Sequence, residues 1–234
     1  PVYKAGNRTI MSNYRPISLL SIFNKLLEKL MSKRLTKFLE KHHILNENQF
    51  GFRGNRSTIQ AILLIADKIQ KAIENKNISC GLFLDLSKAF DTVDHTILIK
   101  KLEHYGVRGT ACDWFRSYLY DRKMFVTIGN SSSKERTVTC GVPQGSVLGP
   151  LLFLLYINDF NQASTVLDLH LFADDSNLFF AHKNLQVLET TINNELLKIH
   201  EWLCSNNLSL NITKTNFALF HASQKHVTDS FSLH

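Results

Sequence analysis

The stretch LHLFADDSNLFF, Leu169 to Phe180, sets two adjacent aspartates inside an apolar run. Strand side chains alternate between faces, and burying an unpartnered carboxylate costs on the order of several kcal/mol. A β-hairpin turning at Asp174-Asp175 resolves the conflict, because turn residues leave the core and project from the sheet edge. LHLFA and SNLFF then become its two strands. Ile78 to Asp85 (ISCGLFLD) is another apolar, β-branched strand, and it too ends on an acid. If Asp85 lies beside the hairpin, three converging carboxylates raise one another's pKa unless a cation neutralises them. Hard oxygen donors at a strand end suit Mg²⁺. Two such ions about 3.5–4 Å apart activate an attacking oxygen and stabilise a leaving one in phosphoryl transfer. A lone Asp-Asp pair is more often a mere turn, with Asp85 as a helix cap. The neighbouring motifs reverse that reading.

The elements around these acids set the fold class. Ile22, Phe23, Leu26, Leu27, Leu30, Met31, Leu35, Phe38 and Leu39 recur at helical spacing opposite Lys and Arg, with Ser18 or Ser21 as cap. NENQFGFRGNRST (46–58) interrupts, and a second helix is predicted over Ser57 to Asn75. Helices follow over His95 to Tyr105 and Thr110 to Tyr120. A hairpin-like pair, Met124 to Ile128 and Arg136 to Cys140, flanks the polar turn GNSSSKE. GVPQGSVLGP precedes an apolar helix reaching about Asp159. Leu185 to Cys204 reads as a long amphipathic helix, and two short strands fit Leu208 to Ile212 and Phe217 to Phe220. This order predicts an α+β layer, helices packed on a mostly antiparallel sheet.

Composition narrows the partners. The chain has 234 residues, 44% of them hydrophobic, enough for a real core. Net charge is +7, concentrated at the front: residues 1–60 carry 11 Lys+Arg against 3 Asp+Glu. That asymmetry fits a polyanion such as nucleic acid, or equally a solvated helix face. The longest apolar run, Val147 to Ile157, contains Gly149 and Pro150 and is too short for a bilayer, so no membrane partner is expected. The N-terminal PVYKAGNRTI has no apolar core of a signal peptide. Cys80, Cys112, Cys140 and Cys204 are far apart with no CxxC pair, which predicts a reduced intracellular protein with structural thiols and no zinc site. Beginning at Pro1 rather than Met, the chain is expected to be a piece of a longer polypeptide.

FLDLSKAFDTVDH (83–95), GVPQGSVLGP (141–150) and LFADD (171–175) resemble motifs A, B and C of reverse transcriptases. NYRPISLL (13–20) and NQFGFRGNRST (48–58) resemble that family's fingers motifs, and LSLNITKT (208–215) its motif D. The likeness is strongest to the enzymes of non-long-terminal-repeat retrotransposons, LINE-type and jockey-like, and it runs through nearly the whole chain. It implies a right-hand polymerase fold, with fingers over 1–77 and palm over 78–234. No thumb or endonuclease motif is read in the chain. The resemblance makes Asp85, Asp174 and Asp175 the metal-binding, catalytic aspartates, and leaves Asp91, Asp94 and Asp159 structural or solvated.

The resemblance also implies that Pro143, Gln144 and Gly145 contact the incoming nucleotide and the template-primer. Phe90, five residues after Asp85, becomes the steric gate beneath the sugar, against the alternative of a core phenylalanine. Arg53 and Arg56, with Arg15, are candidates for gripping triphosphate or template phosphates; a solvated loop face is the alternative. Lys214 becomes a candidate acid for the leaving pyrophosphate, or else a solvated lysine on a strand. The implied function is RNA-directed DNA polymerase: two Mg²⁺ (Mn²⁺ as substitute), dNTPs, template RNA and primer DNA, in the nucleus, with oligomeric state unread. Two alternatives stay open, an RNA-binding remnant of a decayed element and an RNA-dependent RNA polymerase.

Overall fold

The computed structural model describes residues 1–222 and 231–233. It divides into two units, Pro1–Ile44 with Lys88–Tyr156, and Leu45–Ser87 with Ile157–His234. Each unit therefore draws on residues from both sides of residue 77.

The first unit opens with short strands β1 (Val2–Tyr3) and β2 (Tyr14–Arg15), paired antiparallel. Helix α1 (Ile22–Lys41) starts where the Ser21 hydroxyl accepts from the Asn24 amide, satisfying one of the free donors of the first turn. Its apolar stripe is only half used within the described residues. Leu35 and Leu39 are buried, while Ile22 and Phe23 are 83% and 80% exposed.

In the second unit, α2 (Thr58–Glu74) begins with a reciprocal capping box between Ser57 and Gln60. It leads into β3 (Ile78–Asp85), which spans the predicted residues.

The chain then returns to the first unit. α3 (His95–His104) is capped by Asp94, whose Oδ1 accepts from the Thr96 and Ile97 amides, as its structural reading expected. α4 (Thr110–Leu119) packs against α3. The predicted hairpin after it is two small ladders. Strand β4 (Arg122–Met124) pairs with β7 (Arg136–Val138), enclosing β5 (Thr127–Ile128) paired with β6 (Ser131–Ser132). The first strand starts two residues before the predicted one and the last stops two before it, because the ladder register runs Arg122 to Val138. Helix α5 (Gly149–Tyr156), GPLLFLLY, is apolar all round and buried from Leu151 to Tyr156, as a helix without a polar face must be. It ends short of Asp159, which instead precedes a 3₁₀ turn, Phe160–Ala163, in the second unit.

The second unit resumes with β8 (Asp168–Phe172), β9 (Asp175–His182), α6 (Leu185–Ser205) and β10 (Asn216–Phe220). Its four strands form one sheet in the order β10-β3-β9-β8, antiparallel throughout. Helices α2 and α6 pack on it. The expected strand at 208–212 is reduced to one bridge, Leu86 to Leu210, because residues 211–215 close into a turn through Lys214 and Thr215 amides on the Asn211 carbonyl. Burial pushes the Cys80 thiol, on central strand β3, up to about 12. A thiol so held is inert packing. Among the described residues no helix is long and apolar enough to cross a membrane.

Candidate active site

The two acid-bearing strands meet directly. β3 and β9 pair so that Asp85 stands opposite Asp175, and on the other side Asp175 pairs with Phe172. The turn is therefore Ala173-Asp174 rather than Asp174-Asp175. Asp175 is the first residue of β9, and Asp174 lies in the adjoining turn. Ala173 takes φ +58, a left-handed conformation that costs a residue with a Cβ about 1 kcal/mol or more.

Residues 46–51 hold that turn. Gln49, buried, accepts through Oε1 from the Gly51 amide (2.8 Å) and from the Ala173 amide (3.1 Å). Phe50 and Leu171 are joined by N–H···O at 2.8 Å, and Leu171 donates to the Asn48 carbonyl at 2.8 Å. A Cβ on Gly51 would sit 2.2 Å from the Ala173 nitrogen, so only glycine lets the two backbones approach. NQFGF thus works as a brace for LFADD, a role its sequence did not announce.

The carboxylates carry a shared electrostatic load. Partial desolvation, then Asp174 and Asp85, raise the Asp175 carboxyl above its usual range, while Lys214 pulls it back. Asp85 accepts from two donors, both on its Oδ2: the neutral Asn211 Nδ2 at 2.9 Å and the cationic Lys214 Nζ at 3.1 Å. Lys214 stands in the 211–215 turn rather than on a strand. Asn211 was not singled out from the sequence, yet its amide also donates to the Asp85 carbonyl at 2.8 Å. Among the described residues no three His, Cys, Asp or Glu side chains are gathered tightly enough to hold a metal. Three like charges repel, and Asp85 is drawn to Lys214 instead. The donor set still fits a hard divalent cation, since carboxylates occupy two paired strand positions and the turn between β8 and β9.

The arginines of the same unit are engaged locally. Arg53 Nη1 donates to the Asn46 carbonyl at 2.6 Å and the Gln49 carbonyl at 3.4 Å. Arg56 pairs with Glu47 and lies over the Phe50 ring, 5.2 Å from its centroid. Both are thereby committed to the bracing loop.

In the first unit, GVPQGSVLGP forms a loop fastened to residues 90–95. Val142 donates to the Phe90 carbonyl (2.8 Å), Gly141 to the Val93 carbonyl (2.7 Å), and His95 Nε2 lies 2.7 Å from the Gly141 oxygen. Gly141 has φ +86, and a Cβ there would meet the Asp91 oxygen at 2.7 Å. Pro143 accepts from the Ser146 amide and hydroxyl. Gln144 is half-buried; its carbonyl accepts from Ser18 at 2.8 Å and its Nε2 donates to Asp91 Oδ1 at 2.9 Å. Gly145 is exposed with φ +91. Ser18 thus brings NYRPIS to the loop, and Arg15 stands exposed on β2 three residues earlier. Phe90 is half-buried and stacks on Phe153, centroids 4.5 Å apart at 26°.

Glu28 escaped the sequence reading entirely. It sits within the basic helix α1 yet is fully buried, accepting from Tyr118 Oη at 2.8 Å and from the Val147 amide at 2.6 Å. Its signal was one acid on the apolar stripe of a basic helix. A groove of about 530 Å³ lined by Arg34, Phe38, Arg108 and Trp114, among others, contains none of the candidate residues.

Residues 2–230 match the family model described as reverse transcriptase (RNA-dependent DNA polymerase). The chain is 40% identical over 153 residues to a probable RNA-directed DNA polymerase from transposon BS of Drosophila melanogaster, covering 63% of this chain and 16% of that protein. It is 33% identical to that from transposon X-element of the same fly, covering 89% of this chain and 23% of the relative. It is 28% identical to the RNA-directed DNA polymerase from mobile element jockey, covering 91% and 24%. The chain thus spans less than a quarter of the length of these relatives. In fold it resembles telomerase from Candida albicans, solved with the TWJ fragment of telomeric RNA, with a TM-score of 0.56 at 16% identity over 82% of this chain and 35% of that one. With a family match across nearly its whole length, its paired acids and its glycine loop, this chain belongs to the reverse transcriptase family of non-long-terminal-repeat retrotransposons.

Proposed function

We propose that this chain is the polymerising part of a retrotransposon enzyme that copies RNA into DNA, adding dNTPs to a primer 3′-hydroxyl. The observation that carries the reading is the pairing of Asp85 with Asp175 across β3 and β9, with Asp174 in the adjoining turn. Polymerases of this family generally use divalent metal ions. Asp85, Asp174 and Asp175 would hold them, two Mg²⁺ with Mn²⁺ as substitute. Bound there, the ions would supply charge neutralisation at the attacking and leaving oxygens.

The remaining roles belong to the chain's own side chains. Lys214, paired with Asp85, would give a proton to the leaving pyrophosphate once it is released from that carboxylate. Phe90, fixed against Phe153, closes the space beneath the sugar, and Pro143, Gln144 and Gly145 contact the nucleotide. Arg15, Arg53 and Arg56 meet phosphates of the triphosphate or template. Residues 1–77 act as fingers and 78–234 as palm, and the enzyme works in the nucleus on template RNA and primer DNA.

The test is metal-dependent primer extension on an RNA template by the full-length polypeptide, with dNTPs and then with rNTPs. Incorporation of dNTPs, lost in Asp85→Asn, is the expected result. Preference for rNTPs would favour an RNA polymerase. RNA binding with no incorporation of either would leave a binding remnant.

A further inference from the structure

Most of the bonds between residues 90–95 and the glycine loop fix the loop's backbone, and one fixes a loop side chain. The backbone bonds at Phe90, Val93 and Ser18 hold the loop's position whatever residue 144 is. The direction of the Gln144 amide is decided separately, by the 2.9 Å bond from its Nε2 to Asp91 Oδ1. An amide can present either its oxygen or its NH₂ to a neighbour, but a carboxylate only accepts. Asp91 therefore takes the NH₂ side, and Gln144 is left with its Oε1 acceptor directed elsewhere. Asp91 itself is well placed to be rigid. Its amide donates to the Lys88 carbonyl at 2.7 Å, its own carbonyl receives the Cys140 thiol at 3.4 Å, and Gly141 packs against its backbone. It also follows Phe90 directly, whose carbonyl anchors Val142. The aromatic ring and the amide are thereby held in one frame.

We propose that Asp91 is a positioning residue that fixes the Gln144 amide with its oxygen free, so that the loop meets the incoming nucleotide as a hydrogen-bond acceptor. The inference rests on Gln144 contacting the nucleotide, as set out under the proposed function. Asp91→Asn keeps the size of the side chain but offers Gln144 either a donor or an acceptor, so the amide loses its fixed direction. A lost or reversed bond of this kind weakens nucleotide use about ten-fold.

The experiment is single-nucleotide incorporation by the full-length polypeptide, comparing wild type, Asp91→Asn, Gln144→Ala and the double variant. Thermal melting of each checks that the loop still folds. Asp91→Asn should raise KM for the dNTP about ten-fold with kcat little changed. In the Gln144→Ala background the same substitution should add almost nothing, because there is no amide left to orient. A merely structural Asp91 would lower melting temperature and act equally in both backgrounds. That additive result, or an unchanged KM in Asp91→Asn beside an impaired Gln144→Ala, overturns the positioning role alone. A Gln144→Ala enzyme with wild-type KM overturns the contact on which the inference rests. A wild type that extends nothing overturns the proposed function itself.

Discussion

The acid-bearing hairpin of β8 and β9 and the glycine loop at 141–149 are both short and are held in different ways. The hairpin strands are held by sheet register: β9 has a partner strand on each side, Asp175 falls where the ladder dictates, and Gln49 braces the turn that carries Asp174. The glycine loop has no ladder of its own. Its backbone is held by single hydrogen bonds with residues distant in sequence, Ser18, Glu28, Phe90 and Val93. Ladder bonds are shared and cooperative, so one substitution in the hairpin should disturb chemistry before structure. Single anchors are not redundant, and each lost anchor should loosen the loop by itself.

The largest effect should come from Asp85→Asn, which removes charge opposite Asp175 while leaving the ladder intact. Primer extension is expected to fall on the order of 10³-fold or more, with RNA binding retained in a gel-shift assay. Near-normal extension would break the comparison at its root. Phe90→Val comes next, because Phe90 lies in the segment that anchors the glycine loop. It should raise rNTP relative to dNTP incorporation on the order of a hundred-fold, since a clash or unpaired hydroxyl costs a few kcal/mol. An unchanged ratio would return Phe90 to the core.

Two substitutions then set the stability of the regions side by side. Gly51→Ala forces a Cβ to within 2.2 Å of the Ala173 nitrogen, and overpacking there should cost about 3 kcal/mol in urea unfolding. Glu28→Ala leaves the Tyr118 hydroxyl and Val147 amide without their acceptor, at about 2 kcal/mol. Its mark should be faster hydrogen exchange at Val147 with the β3–β9 ladder unaffected. Equal loosening of both regions would show that they do not behave as separately anchored.

The smallest effect concerns pH. His170 on β8 is buried with neither ring nitrogen hydrogen-bonded; burial, then Lys68, lower its pKa below 6.5, and Asp168 partly opposes this. A histidine whose folded value is depressed binds more protons when unfolded. Its contribution is intact above about 6.5 and is lost as pH falls below that value. His170→Phe should flatten this acid limb of the stability curve, and an unchanged slope would place the acid sensitivity elsewhere.

How much of this was legible depended on range. Strand Ile78–Asp85 could be read to the residue because its apolar run and terminal acid are local. α2 was legible for the same reason, within one residue at each end. The hairpin turn was misplaced by one residue, because an alanine at positive φ is a poor turn signal by itself. What tolerates it is Gln49, more than a hundred residues away. Arg53, Arg56 and Lys214 were recognised as cations, but their partners in the folded chain were not. Glu28 was invisible because one acid on an amphipathic helix normally faces water.

The sequence by itself determined the α+β order and the family and singled out the three aspartates, since apolar periodicity and contiguous motifs are properties of neighbouring residues. Only the tertiary structure decided that Asp85 stands opposite Asp175, that Lys214 and Asn211 donate to it, that Asp91 accepts from the Gln144 amide, and that Glu28 holds the glycine loop. The physical reason is that a hydrogen bond needs two groups within about 3 Å in the right direction. For residues separated by dozens of positions, the folded backbone alone supplies that distance.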